Sequence, residues 1–259
     1  MPFVSNPEKA DSSTCFALRD KNLILRQDGS LLSFEDLLLL KKLSPDSEFF
    51  NDDSFSVAAL NYPEPVSLPE GYVQKSIREF FSENTEDLNF RAARARSILE
   101  WRVMNRFCPY CGGSLQDSRT FSAKECAACG KVYFPRIEPC VIVLVHRGEQ
   151  VLLVRHTYRN QNIFACIAGF MEAGESAENA VRREVFEETG LKVKNIKYKG
   201  SQGWPYPDQL MLAFTADYES GELVLQKEEI AEAIWCRPEE CENSPKPGSI
   251  AYRLIHDQF

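Results

Sequence analysis

The chain has 259 residues, 44% of them hydrophobic and 26% charged, with 38 acidic against 30 basic side chains and a net charge of −8. Those proportions are those of a globular protein with room for more than one core. No apolar run approaches the length of a membrane span, and the acidic balance gives no support to a general nucleic-acid-binding surface, which would be basic.

The N-terminal Met1-Pro-Phe-Val-Ser-Asn-Pro has neither a basic start nor a long apolar stretch, so no secretory leader is expected and the chain reads as cytoplasmic. Residues 1–105 read as an N-terminal α+β domain. It has strand-like runs at Leu23–Arg26 and Ser56–Leu60 and a turn at Asp28-Gly29. A helix is expected near Thr85–Asn105, where Leu88, Ala92, Ala95, Leu99 and Val103 recur at helical spacing. Arg91, Arg94, Arg96, Arg102 and Arg106 crowd this segment; such a run reads as a solvated face, with a local basic patch as the sharper alternative.

Residues 106–134 read as a ribbon. Cys108-Pro-Tyr-Cys111 and Cys126-Ala-Ala-Cys129 are two Cys-x-x-Cys knuckles, each followed by glycine, and together they supply four thiolates for one tetrahedral Zn²⁺. Four protein ligands leave no open position, so this metal is structural. The other five cysteines, Cys15, Cys140, Cys166, Cys236 and Cys241, are expected as free thiols of a reducing compartment.

Residues 135–259 read as alternating strands and two helices. Strands are expected at Cys140–Val145, Gln150–Arg155, Ile163–Ala168, Lys194–Lys199, Leu210–Tyr218 and Ala233–Cys236, and the last helix at Ser249–Gln258. Between Gly169 and Leu191 lies the chemistry. Gly169 and Gly174 bracket a loop, Ser176 can cap the next helix, and Gly190 can stop it. Ala177, Ala180, Val181 and Val185 give the helix one apolar stripe. Glu184, Glu187 and Glu188 stack within about one turn, a costly arrangement of like charge unless a hard cation such as Mg²⁺ or Mn²⁺ shares it. Arg183 is placed to pair with Glu187 one turn later, and Glu175 precedes the helix, whereas Glu172 and Glu178 read as solvated. Further on, Ser201-Gln-Gly-Trp-Pro-Tyr-Pro-Asp-Gln209 is read as a stiff, exposed aromatic loop suited to stacking on a planar ring.

Gly169 to Leu191 fills every fixed position of G-x5-E-x7-R-E-U-x-E-E-x-G-U, with U a bulky apolar residue. The chain thereby resembles the Nudix hydrolases, and the resemblance implies an α/β/α sandwich around a mixed sheet. The order of N-terminal domain, four-cysteine ribbon, box and aromatic motif resembles the NADH pyrophosphatases, the NudC-like branch, whose motif is S-Q-P-W-P-F-P-x-S. Gly203, Tyr206 and Gln209 depart from that pattern. The resemblance implies metal-dependent hydrolysis of the diphosphate of NADH or NAD to NMN(H) and AMP, removal of the NAD cap from RNA 5′ ends, and a homodimer. It implies divalent-metal ligands at Glu184, Glu187, Glu188, the main-chain oxygen of Ala168, and Glu229, with neighbouring Glu228 as a substitute. Arg183 joins the catalytic set. Substrate contacts are implied at Phe134, Phe170, Ser201, Gln202, Gly203, Trp204, Pro205, Tyr206, Pro207 and Ala251, Trp204 reaching in from a partner chain. Either Glu187 or Glu188 is open as the group that takes the proton of the attacking water. Rival readings are a broader ADP-ribose or dinucleotide pyrophosphatase and a non-catalytic zinc-ribbon nucleic-acid-binding protein.

Overall fold

The computed structural model describes residues 14–20, 22–157, 162–206, 208–241 and 243–259. The chain divides into two compact units, Met1–Arg136 and Ile137–Phe259.

The first unit opens with strands β1 (Thr14–Arg19) and β2 (Asn22–Arg26), helix α1 (Phe34–Leu43), and strands β3 (Phe49–Asp52), β4 (Val57–Asn61) and β5 (Tyr72–Ser76). Helices α2 (Ile77–Glu83) and α3 (Glu86–Met104) follow. The strands form one sheet in the order β3-β4-β1-β2-β5, with only β1 and β4 parallel. Its centre is buried on both faces. Cys15 and Ala17 join Leu37 and Leu40 of α1 in one cluster, while the alternate residues Phe16 and Leu18 are also buried and point the other way. The sequence reading found β2, β4 and α3 but not α1 or α2. Leu37–Leu40 is too short a run to announce a helix, and the Ser33–Asp36 capping box that starts α1 is the signal that was available.

The arginine-rich helix α3 is neither a solvated face nor a basic patch. Arg94 pairs with Asp52, Arg96 with Glu100, and the buried Arg102 with Glu48 and, through two 2.9 Å bonds, with Asp117. Asp117 belongs to the ribbon strand β6 (Leu115–Asp117), which pairs with β7 (Lys124–Cys126) and then β8 (Val132–Tyr133). Lys124 adds two bonds, to the carbonyls of Arg102 and Asn105. Charged pairing thus ties the ribbon to the end of α3.

The second unit is built on β9 (Glu138–Arg147) and β10 (Gln150–His156), with β11 (Ile167–Phe170), helix α4 (Ala177–Thr189), β12 (Lys192–Trp204), β13 (Gln209–Ser220), β14 (Ile230–Cys236) and helix α5 (Ile250–Ile255). The sheet order is β12-β13-β9-β10-β14, with β11 on β9. It is mixed, because β13 runs parallel to β9 and the other pairs are antiparallel. Strand β9 alternates strictly. Val141, Val143 and Val145 pack with Ala180, Val181 and Val185 of α4, while Cys140, Ile142 and Leu144 pack with Ile250, Leu254 and Ile255 of α5. The expected α/β/α sandwich is this arrangement, and α4 is capped by Ser176 and ended by left-handed Gly190 as the sequence required.

Two expectations are corrected. The apolar run from Ile163 is not one strand. Before Ile167 it makes only an isolated bridge between Ala165 and Val154, and the Phe164 N–H donates to Asn243 O. The cause is β9, whose edge is shared: β10 takes Val145–Arg147 and β11 takes Cys140–Val143. The aromatic motif is mostly not a loop. Ser201–Trp204 continue β12, and Gln209 begins β13, with Pro205, Tyr206 and Asp208 in the turn between them.

Candidate active site

The acidic cluster is positioned by two ends of secondary structure. Strand β11 delivers Gly169 and Phe170, and helix α4 lies across it with Glu184 facing Gly169. At the other end of α4 the last carbonyls would be unpaired. They are taken by the segment that follows β13: Val224 N–H donates to Thr189 O, and Gln226 N–H to Glu188 O. That segment then turns on Gln226, whose carbonyl accepts from Glu229 and Ile230 N–H, and so carries Glu229 to the cluster. Glu229 is near enough for its charge to raise the pKa of both Glu184 and Glu188. Glu228, the substitute, gives only its carbonyl, to Thr157.

The three helix glutamates differ. Glu188 is 2% exposed, and its Oε2 has no hydrogen-bond partner among the described residues. Burial, reinforced by the charges of Glu184, Glu229 and Glu187, pushes its carboxyl up to about 8. Glu184 is also raised, by burial first, although Arg183 opposes the shift. Glu187 is exposed.

Arg183 is the hub. It bonds Glu175 through Nε at 2.9 Å and Nη2 at 2.8 Å, Glu184 at 2.7 Å, Glu187 at 3.1 Å, and the Phe170 carbonyl at 2.9 Å. The expected pairing with Glu187 is present, but Glu175 is the larger partner. Hydrogen bonds from Arg183, then from Glu172 N–H, pull the Glu175 carboxyl down to about 2. Sequence spacing could not reveal this, since Glu175 lies before the helix and reaches Arg183 only because the loop from Gly169 folds back.

The unpartnered buried Oε2 of Glu188 and the nearby charges of Glu184 and Glu229 have the chemistry a hard divalent cation prefers, with Glu187 at the solvent edge. Among the described residues, only the four ribbon cysteines bring three or more ligand atoms within 4.8 Å of one another. Ala168 is in β11, and its side chain packs on the α5-side cluster.

The aromatic residues divide. Phe170 is exposed at the end of β11. Trp204 and Ala251 both pack against the α5-side cluster of their own chain, and Trp204 meets Tyr206 edge-on with centroids 6.5 Å apart. Gln202 spends its side chain inside the protein: Nε2 donates to Gly248 O at 2.9 Å, and Oε1 accepts from Ile250 N–H at 2.8 Å. It therefore fixes the start of α5, next to Ala251. Ser201 is exposed, and a Cβ at Gly203 would meet open space. Pro205 and Tyr206 lie in the turn, and Pro207 lies outside the described residues. Phe134 belongs to the first unit, exposed and 5.8 Å from the Phe121 ring.

The four ribbon cysteines converge. Their Sγ atoms all lie within 4.8 Å of one another, with Cys108–Cys129 at 3.8 Å and Cys111–Cys126 at 3.5 Å. A tetrahedral zinc with bonds of about 2.3 Å needs sulfur pairs about 3.8 Å apart. Left-handed Gly112 and Gly130 close the two knuckles, donating to Cys108 and Cys126 carbonyls. Burial resists ionisation of Cys108, but the Tyr133 hydroxyl at 3.1 Å and nearby backbone N–H groups outweigh it and bring the thiol down to about 6. None of the other five cysteines forms a disulfide among the described residues, and Cys236 and Cys241 are only half-buried.

The NUDIX domain family matches residues 136–258. The chain is 38% identical over 234 residues to a protein of Escherichia fergusonii named NAD-capped RNA hydrolase NudC, an alignment covering 88% of this chain and 91% of that one. The Escherichia coli protein of the same name matches with the same identity and coverage. A solved NUDIX hydrolase of Nitrosomonas europaea is similar at 23% identity, with a TM-score of 0.46 over 59% of this chain and 86% of its own. The chain belongs to the Nudix hydrolases, in the NudC-like branch of these relatives.

Proposed function

We propose that the chain hydrolyses the diphosphate of NADH or NAD to NMN(H) and AMP, and removes the NAD cap from RNA 5′ ends. The observation that carries the reading is the buried, unpartnered Glu188 carboxylate beside Glu184 and Glu229. Two relatives aligned along nine-tenths of their length are named NAD-capped RNA hydrolase.

Glu184, Glu188 and Glu229, with the Ala168 carbonyl, would hold Mg²⁺ or Mn²⁺. A divalent cation there supplies neutralisation of the diphosphate and acidifies the attacking water. The chain's own groups do the rest. Arg183 holds Glu184 and Glu187 in place while its bonds to Glu175 and Phe170 O keep the strand-to-helix loop closed. The proton of the water needs an acceptor open to solvent. Glu187 is exposed and Glu188 is buried, which favours Glu187 as the base and Glu188 as a ligand. Phe170 and Trp204 offer the faces on which nicotinamide stacks, with Trp204 serving a partner chain in a homodimer. One Zn²⁺ per chain holds the ribbon. No helix among the described residues is long and apolar enough to cross a membrane, and cysteines that form no disulfide among the described residues fit a reducing, cytoplasmic setting.

A panel of NADH, NAD⁺, ADP-ribose and NAD-capped RNA tests the reading. NADH and the capped RNA should be cleaved at the diphosphate with higher kcat/KM than ADP-ribose. A preference for ADP-ribose would move the chain to the broader dinucleotide reading.

A further inference from the structure

The ribbon has a surface that holding zinc does not explain. Tyr110 is 73% exposed in the first knuckle, and Lys131, just after the second, places its ammonium 4.4 Å from the Tyr110 ring centroid. The two line an open concavity of about 500 Å³ with Pro109, Val132 and Tyr133. Phe121 is a second exposed ring, on the loop between β6 and β7 beside Arg119. Three of the ribbon's cations, Arg106, Arg119 and Lys131, are exposed, against one exposed acid, Glu125. The other acid, Asp117, is engaged by Arg102. In a chain with 38 acids and 30 bases, this balance is inverted locally.

We propose that the ribbon binds single-stranded RNA along its length, bases stacking on Tyr110 at the knuckle end and on Phe121 at the β6–β7 loop, and phosphates meeting Lys131 and Arg119. Exposed rings interleaved with cations are the combination that takes unpaired nucleotides without reading sequence. A duplex hides the faces of its bases and fits poorly. RNA as the occupant rests on the capped-RNA activity proposed above; the ribbon would hold the body of the transcript.

The test uses the full zinc-loaded chain and a fluorescent, uncapped single-stranded RNA of about 12 nucleotides, so binding is read without turnover. Tyr110→Ala/Lys131→Ala should weaken binding roughly tenfold and flatten its salt dependence by about one phosphate contact. Zinc content and NADH turnover should not change. Arg119→Ala/Phe121→Ala, away from the cysteines, should weaken binding in the same sense should the first pair disturb the knuckles. A duplex of equal length should compete poorly. The proposal is overturned if both double variants bind RNA like the parent chain, or if they lower the mass in sedimentation, which would assign the face to contact between copies. Loss of the hydrolase reading shows separately, as absence of AMP release from NADH by the parent chain whatever the RNA data.

Discussion

Gly169 lies directly against the Glu184 carboxylate: a Cβ at Gly169 would come within 1.9 Å of Glu184 Cδ and 2.1 Å of its Oε1. The box glycine is therefore needed for space, to let a strand end touch a carboxylate on the next helix. The clashing atoms are the far end of a flexible side chain, so the carboxylate would move and the backbone would not. Gly169→Ala should keep its fold and Tm within a few degrees, yet lose roughly 100-fold in kcat, the effect of misplacing a reacting group by about 1 Å. Circular dichroism melts beside steady-state rates separate the two; a fully active alanine variant would mean Glu184 has no fixed role.

Arg183 makes five hydrogen bonds to three carboxylates and one carbonyl. Lysine keeps the charge but has no planar fork to serve Glu175 and Glu184 together. Arg183→Lys should weaken divalent-metal binding about 10–100-fold, as loss of an orienting partner does. Metal titration of activity checks it, and an unchanged metal requirement would make Arg183 dispensable.

The Glu188 carboxyl, raised to about 8, sets a pH dependence. A ligand must lose its proton, so apparent metal affinity should fall about tenfold per pH unit below 8. For stability without divalent metal the sign is the reverse of an ion-paired acid. The folded pKa lies above the unfolded one, so this group's contribution is full below about 4.5 and is lost as pH rises toward 8. Metal-free protein should lose several kcal/mol of stability across that window, and Glu188→Gln should remove the loss while abolishing turnover. Urea melts with chelator at several pH values decide it; a parent chain that gains stability toward pH 8 contradicts the buried, uncompensated carboxylate.

Cys108→Ser should cost zinc and stability together, because a structural zinc contributes folding free energy. Metal analysis of the parent chain should return about one Zn²⁺ per chain. A metal-free, fully stable preparation would leave the knuckles as unmetallated turns.

Much of the second unit was legible in the sequence. Ser176, Gly190 and the stripe from Ala177 to Val185 define α4 by local rules alone, and β9 announces itself by length and apolarity. What was not legible depends on tertiary pairing. Ile163–Ala168 has the composition of a strand but pairs only through the isolated Ala165–Val154 bridge until Ile167. Gln202 reads as a substrate contact in its motif, yet the fold spends its amide on Gly248 and Ile250, residues almost fifty positions away. The arginines of α3 read as solvated because their partners, Glu48, Asp52 and Asp117, come from other elements. At the acidic cluster, helical spacing brings Glu184, Glu187 and Glu188 to one side, but only the packed structure distinguishes the buried Glu188 from the exposed Glu187.

Trp204 packs on the α5-side cluster with Ala251. Trp204→Ala should raise KM for NADH about fivefold, by lost stacking, and leave ADP-ribose, which has no nicotinamide, nearly unchanged. Equal effects on both substrates would reduce Trp204 to a packing residue.

Product analysis after incubation of NADH with Mn²⁺ or Mg²⁺ reads hydrolysis of the diphosphate at the Glu188 cluster. AMP and NMNH should appear in equal amounts, with none in the presence of chelator, and the rate should fall at least about 100-fold in Glu188→Gln. Intact NADH after prolonged incubation with either metal, or a Glu188→Gln chain that still releases AMP at the parent rate, would contradict it.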